Sequence, residues 1–363
     1  MMDIFNNEVI LQDMENIYSR KLPVEQLFHK SILISGATGM LASYFCYYLF
    51  WLNEVKQAGI TILVLVRSQE KCQKVFGEYA HRDYFHIYTD SLAKELNIAE
   101  PVDYIVHAAS LASPQYYKNN PVEVALPNTV GTYHLLELAR EKEVKGFLYF
   151  SSGDVYGKMP EGIGAFSENQ IGIMDPLDEH SCYGGSKSMG EIWCASYARE
   201  YHVPAKMVRI GHTYAPTMDV DKDPRVFASF MKCLLENRDI VMLSDGTAKR
   251  PFCYIADAIA AYLLILLEGA NGEAYNMANE DEFLSIAELA DKLVSLDPGK
   301  KLKVIRKKRT KDDVYMENDS NQQNLPSSEK LKKLGWSCQY DVRKGFGQVL
   351  RFLQSNEVET YQQ

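Results

Sequence analysis

Ser31-Ile32-Leu33-Ile34-Ser35-Gly36-Ala37-Thr38-Gly39-Met40-Leu41-Ala42 is the stretch that decides the fold. Its aliphatic start reads as a buried strand, and the apolar run Tyr44–Leu52 beyond it reads as a helix. Between them stand Gly36 and Gly39, with Ala42 at a third small position. Glycines let the backbone approach a pyrophosphate, and a helix N-terminus favours that negative charge. The spacing is Gly-x-x-Gly-x-x-Ala, not Gly-x-Gly-x-x-Gly. An ordinary tight turn is the competing reading, and strand, turn and helix in the required order speak against it. Met40 and Leu41, where the helix opens, are expected beside the cofactor.

Working outward, a second strand at Ile60–Val66 ends at Arg67. In such a fold this strand end faces the adenine ribose, where an acidic residue suits a 2′-hydroxyl and an arginine a 2′-phosphate. The cofactor expected is NAD, with Arg67 leaving NADP open. A third strand near Tyr84–Tyr88 ends at Asp90 and Ser91, candidate adenine contacts. A fourth, Val102–Val106, runs into His107-Ala108-Ala109-Ser110, whose small residues leave room for a cofactor. His107 reads as a packed strand-end histidine. Asn128 opens a further helix. A fifth strand, Phe147–Phe150, delivers Ser151-Ser152-Gly153-Asp154, and Ala205–Ile210 reads as a sixth.

The alternation predicts an α/β fold: a doubly wound, Rossmann-like parallel sheet with a smaller C-terminal α/β substrate lobe. The expected division is an extension over 1–29, an NAD(P)-binding domain over 30–212 with a return near 250–268, and a substrate lobe over most of 213–363. Ile10, Met14, Ile17 and Tyr18 have helical spacing, so part of the extension should pack as a helix.

Ser181-Cys182-Tyr183-Gly184-Gly185-Ser186-Lys187 supplies the chemistry. Tyr183 and Lys187 fall four apart on one helical face. A cation beside a phenol favours its phenolate, so the pair can move a proton. Alone, the pair is equally a solvated helix face. Ser152 and Asp154 at a strand end could bond a reacting oxygen or act as acid or base; their plain alternative is capping a loop.

Bulk composition narrows the classes. The 363 residues are 46% hydrophobic and 24% charged, with a net charge of -9, which argues against non-specific binding to nucleic acid or anionic membrane. No apolar run is long enough to span a bilayer. Asp3, Glu8, Asp13 and Glu15 are wrong for a signal peptide. The seven cysteines form no Cys-x-x-Cys pair and read as reduced thiols of a cytoplasmic protein. Seven basic residues between Lys300 and Arg309 read as a solvated strand and loop, or else a nucleotide or partner patch.

The glycine turn, His107-Ala108-Ala109, Asn128-x-x-Gly131, Ser152 and Tyr183-x-x-x-Lys187 together resemble the extended short-chain dehydrogenase/reductase family, whose members modify nucleotide sugars. Within it, the chain looks most like UDP-glucuronate decarboxylases, through Ala109–Pro114 with Tyr117 and Asn120-Pro121, Ser181-Cys182-Tyr183, Asp223-Pro224-Arg225-Val226, and Lys249–Tyr254. The resemblance implies Tyr183, Lys187, Ser152 and Asp154 as the catalytic set. Gly36, Gly39, Ala108, Ala109, Ser110, Asn128 and Lys187 would line the cofactor. Ser113, His180, His212, Arg225 and Arg250 would contact substrate, the arginines suiting a diphosphate. It also implies a homodimer through the helices after Asn128 and Tyr183.

There are departures. Arg67 stands where these enzymes usually have an acid, Asp154 where they have Glu, His180 near a common arginine, and His212 at a usual asparagine. The shared first step is oxidation at C4 of the sugar, with Tyr183 taking the hydroxyl proton. Decarboxylation, 4-epimerisation and 4,6-dehydration diverge after it; Gly153, where dehydratases carry an acid, lowers the last. An NADP-dependent carbonyl reductase is the alternative of another class, and a non-catalytic scaffold is disfavoured by the intact Ser152, Tyr183 and Lys187.

Overall fold

The computed structural model describes residues 7–160, 162–307 and 325–361. The Asn7 side chain caps helix α1 (Glu8–Ser19), accepting from the N–H groups of Val9 and Ile10. The apolar face of α1 is buried, as its spacing predicts, and so is Asp13. The Asp13 carboxylate accepts from the phenols of Tyr44, Tyr254 (2.6 Å) and Tyr340 (3.1 Å). Arg20, just past α1, pairs with buried Asp257 at 2.6 Å. Apart from that to Tyr44, these contacts bind the start of the chain to residues more than 200 positions away. Asp3 lies outside the described residues.

Strand β1 (Ser31–Ser35) is buried on both faces. It feeds α2 (Met40–Lys56), whose buried run from Ala42 to Leu52 is too apolar for a surface helix. Then come β2 (Thr61–Val66), α3 (Gln69–Phe76), β3 (Phe85–Thr89) and β4 (Tyr104–His107). Three short helices follow, α4 (Pro114–Asn119), α5 (Pro121–Asn128) and α6 (Val130–Glu141), and then β5 (Gly146–Ser152). The long α7 (Ser181–Glu200) leads to β6 (Ala205–Ile210) and β7 (His212–Tyr214). The rest comprises α8 (Val226–Leu235), β8 (Ile240–Met242), β9 (Lys249–Tyr254), α9 (Ile255–Glu268), β10 (Ala274–Met277), β11 (Phe283–Ser285), α10 (Ile286–Val294), β12 (Val304–Arg306), α11 (Glu329–Lys332) and α12 (Val342–Tyr361).

The main sheet has seven strands in the order β10-β6-β5-β4-β1-β2-β3, every neighbouring pair parallel. The order reverses between β1 and β4. There the ends of two strands diverge and leave a crevice, the usual ligand seat of such sheets. The chain returns to this sheet through α9, buried from Ile255 to Leu266, and then β10. The smaller lobe has a three-stranded sheet, β11-β9-β7, and the β12-β8 pair. Of the basic run, Arg306 lies on exposed β12, while Lys308 and Arg309 lie outside the described residues.

All seven cysteines are free; Cys182 and Cys338 are partly exposed and the other five buried. Among the described residues, no helix is long and apolar enough to cross a membrane.

Candidate active site

Gly36 has φ +69°, and a Cβ there would lie 2.5 Å from the Ala109 Cα. Only glycine meets both demands, so the β1 turn and the segment after β4 close into one shallow cradle. Gly39 then caps α2 with no side-chain hydrogen bond, leaving the helix N–H groups of Met40 and Leu41 facing the crevice. Ala108 and Ala109 hang from β1: Ala108 N–H donates to the Ser35 carbonyl at 3.2 Å and Ala109 N–H to the Ser35 Oγ at 3.3 Å.

His107 completes this frame. Its Nε2 faces the Pro127 carbonyl at 3.0 Å, which can only accept, so Nε2 carries the proton. Nδ1 then accepts from the Ser35 hydroxyl at 2.7 Å. Burial, with the Lys187 charge adding to it, pushes the ring down to about 3, so it is neutral. It is the packed strand-end histidine that the sequence suggested.

The Ser110 hydroxyl, next along, is buried without a partner, as is that of Ser113. Orphaned donors at the mouth of a glycine cradle fit a bound polar ligand. A dinucleotide suits the set: a pyrophosphate at Gly36–Leu41, a ribose near Ser110 and Lys187. Arg67 and Asp90 stand exposed where β2 and β3 end. Asp90 accepts from Ser91 N–H at 2.7 Å, so those two form a local turn. Asn128 is fully buried and its amide donates to the Val124 carbonyl and the Ser186 Oγ, both at 3.0 Å. Its side-chain carbonyl has no partner. Asn128 thus ties α5 to α7, beneath the cofactor cradle.

Tyr183 and Lys187 occupy successive turns at the start of α7, both buried. Gly184 lets that turn press on the backbone of Asp154, where a Cβ would come within 2.7 Å of its carbonyl oxygen. The Lys187 Nζ donates to the Phe150 carbonyl at 2.6 Å and lies 4.9 Å from the Tyr149 ring centroid. It is 5.9 Å from the Tyr183 ring centroid. Burial pulls Lys187 down to about 7. Burial holds the Tyr183 phenol well above its usual value; the Asp154 charge adds to this and a hydrogen bond with Ser152 opposes it.

Ser152 closes β5 and its Oγ accepts from Asp154 N–H at 3.2 Å, so it caps the 3-10 turn Gly153–Tyr156 as well as facing Tyr183. Asp154 keeps accessible surface on the open crevice yet is flanked by protein. That surrounding raises its carboxyl, against the charges of His180 and Arg250.

The substrate candidates converge here. His180, immediately before α7, stands 5.7 Å from the Tyr117 ring, edge-on, and Tyr117 in turn stacks on Tyr183. His212 has surface on the crevice but sits deep in it; burial and the guanidinium groups of Arg250 and Arg225 push it down to about 3. Arg250 belongs to β9, beside His212 on β7. Arg225 is engaged by Asp223 at 2.5 Å and the Thr213 carbonyl at 2.9 Å, and reaches Met40 Sδ at 3.7 Å.

One cluster went unread in the sequence. Glu191, one turn beyond Lys187, accepts from the Ser151 hydroxyl at 2.6 Å and pairs with Arg209 at 2.7 Å. The signal was present: an acid at i+4 from the lysine, and an arginine inside a buried parallel strand.

Comparison with known proteins agrees with this geometry. The model of the NAD dependent epimerase/dehydratase family matches residues 32–278. UDP-glucuronic acid decarboxylase 3 of Arabidopsis thaliana is 31% identical over 316 residues, covering 86% of each chain. UDP-glucose 4-epimerase of Thermotoga maritima superposes with a TM-score of 0.74 at 21% identity, over 90% of this chain and 99% of that one. UDP-glucuronic acid 4-epimerase from Bacillus cereus, solved with NAD, gives 0.72 at 22% identity with the same coverage. The family match takes in the glycine cradle and the Tyr183–Lys187 helix together, and the plant relative extends it to 86% of the chain; the protein belongs to the NAD dependent epimerase/dehydratase family.

Proposed function

We propose that this protein oxidises a nucleotide sugar at C4 and decarboxylates it, with UDP-glucuronate as substrate. The observation that carries the reading is the buried pair of Tyr183 and Lys187 on one face of α7, set against Ser152 at the end of β5. The likeness to plant UDP-glucuronic acid decarboxylase supports the sugar.

NAD, when bound, supplies the acceptor that oxidises the sugar and later returns the hydride. The residues do the rest. Lys187, as ammonium, favours the Tyr183 phenolate. Tyr183 accepts the proton of the 4-hydroxyl, and Ser152 donates to the same oxygen. A 4-keto sugar bearing a carboxylate at C5 is a β-keto acid, which loses carbon dioxide without a further protein base; the electron pair moves onto the C4 oxygen as an enolate, and C5 then takes a proton from water. Asp154, whose carboxyl its surroundings raise, is placed to contact that carboxylate or to steer water from it. Arg250 offers its guanidinium to the nucleotide diphosphate. Arg225, turned toward Met40, serves the cofactor's end of the crevice.

Epimerisation is the second reading, supported by His180 and His212, which replace residues usual in decarboxylases around the sugar. NAD rather than NADP is the cofactor we assign, since the family is NAD dependent; exposed Arg67 then stacks or faces water. A homodimer is supported by the exposed Val122, Val130, Tyr133, Ile192 and Tyr201 on and beside α5, α6 and α7.

The test is mass spectrometry of products from a panel of nucleotide sugars. Loss of carbon dioxide from UDP-glucuronate is expected. An unchanged mass with a new retention time means epimerisation instead, and loss of water from a hexose means dehydration. Stoichiometric NADPH consumption would replace all three with a reductase.

A further inference from the structure

Lys187 and Glu191 lie one turn apart on α7, and they grip consecutive residues of β5. Lys187 Nζ donates to the carbonyl of Phe150 at 2.6 Å, while Glu191 Oε1 accepts from the hydroxyl of Ser151, also at 2.6 Å. The next residue is Ser152. Glu191 is held from the other side by Arg209, whose Nε and NH2 reach its two oxygens at 2.9 and 2.7 Å. Arg209 is the β6 residue in register with Ser151. Both charged side chains are nearly buried, at 12% and 11% exposed. Gly190 permits this closeness, because a Cβ there would collide with the Tyr149 hydroxyl.

The plain alternative is a clamp of helix on sheet. A buried ion pair is poor value as a clamp, since desolvation cancels much of its attraction and an apolar pair of like volume serves as well. The charges around Lys187 supply a better reason. Tyr183 and Cys194 on α7 are neutral, as are Tyr149 on β5 and His107 on β4; Asp154 lies past β5, and Arg209 comes from β6. Glu191 is the strongest of these in favouring the charged form of Lys187.

We infer that Glu191 is a positioning residue of the redox centre: braced by Arg209 and Ser151, it favours the ammonium form of Lys187 and fixes the strand end that presents Ser152. The inference rests on the reading of Tyr183 and Lys187 as the proton-transfer pair, but its test needs no turnover. Protein carrying 13C-labelled lysine is titrated by NMR, with the Lys187 signal assigned by its loss in Lys187→Arg. In Glu191→Gln the Lys187 midpoint should fall by about one pH unit, as expected on removing an opposite charge one helical turn away.

The double variant Glu191→Gln/Arg209→Met leaves no orphaned guanidinium and covers the case in which the single variant does not fold. Its midpoint should also lie below that of the wild type. Where a turned-over substrate is in hand, the alkaline limb of kcat should move down by the same amount, with KM little changed. A Lys187 midpoint unmoved in either folded variant, with only a lower melting temperature, overturns the inference and leaves Glu191 a clamp. Absence of turnover beside a moved midpoint would count against the proposed reaction alone.

Discussion

The ring of Tyr117 lies flat against that of Tyr183, with centroids 5.0 Å apart and planes 13° from parallel. The Tyr183 phenol therefore lies under a second phenol, largely away from water. Burial and Asp154 both favour the neutral hydroxyl there. A bound positive nicotinamide works in the opposite direction. The phenolate absorbance near 295 nm should thus appear at lower pH with NAD present than without it. Tyr183→Phe should lack that component and lose activity by about a thousandfold, within the range for a general base, while NAD affinity measured calorimetrically stays within about twofold.

Lys187 makes a prediction about stability. Its folded value near 7 lies below the unfolded 10.5, so between those values the unfolded chain holds the extra proton. Stability from this group therefore rises as pH climbs from 7 toward 10, and is lowest below 7. Lys187→Met removes the buried charge. It should melt higher than the wild type at pH 6, with the gap narrowing above pH 8, and should be inactive throughout.

Two glycines in the same crevice should behave oppositely. Gly36→Ala forces a Cβ into Ala109 at a positive φ, and should cost about 2 kcal/mol or more and abolish NAD binding. Gly153 has nothing within 4 Å of an added Cβ. Gly153→Ala should change stability by less than about 0.5 kcal/mol in chemical denaturation.

Asp13 should matter far from the chemistry. Asp13→Ala leaves the Tyr44, Tyr254 and Tyr340 hydroxyls buried without their acceptor, at a cost of about 3 to 5 kcal/mol by urea unfolding. Tyr340→Phe removes one donor of three and should cost about 1 kcal/mol. Burial raises Asp13 from 3.8 to about 6. The folded state then holds the extra proton between those values, so this group's contribution falls as pH rises from 4 to 6 and is flat above. Asp13→Asn should abolish that slope.

The strand, glycine turn and helix at residues 31–52 were legible because a two-faced strand and a positive-φ glycine leave local marks. Tyr183 and Lys187 were legible as a spacing, and Ser152 as a hydroxyl at a strand end. Other features are made by distance in sequence. Asp13 reads as one more charge on an exposed face until residues 44, 254 and 340 bring their phenols to it. The sequence leaves Arg225 between a diphosphate ligand and an ion pair, and its bonds to Asp223 and to the Thr213 carbonyl are set by the fold of the smaller lobe. Strand β10 is four residues long and contains the buried Asn276, too short and too polar to announce itself. Glu191 gives no mark of its pairing in the sequence, because its partner Arg209 stands on β6.

The Asp13 knot also has a bearing on how the molecule comes to exist. Its acceptor is made early in synthesis and its last donor, Tyr340, more than 300 residues later. Trp336 and the backbone of Tyr340 close over Asp257 in the same region. A nascent chain that has finished the nucleotide-binding sheet still carries a buried Asp13 carboxylate short of one phenol and, at the start of α9, an Asp257 without its partners from residues 336–340. Domains commonly fold as they emerge from the ribosome. Here the first half waits for the last to be sealed, and a fragment stopped at the end of the family match, residue 278, should leave the Asp13 and Asp257 carboxylates short of their partners and melt well below the full chain.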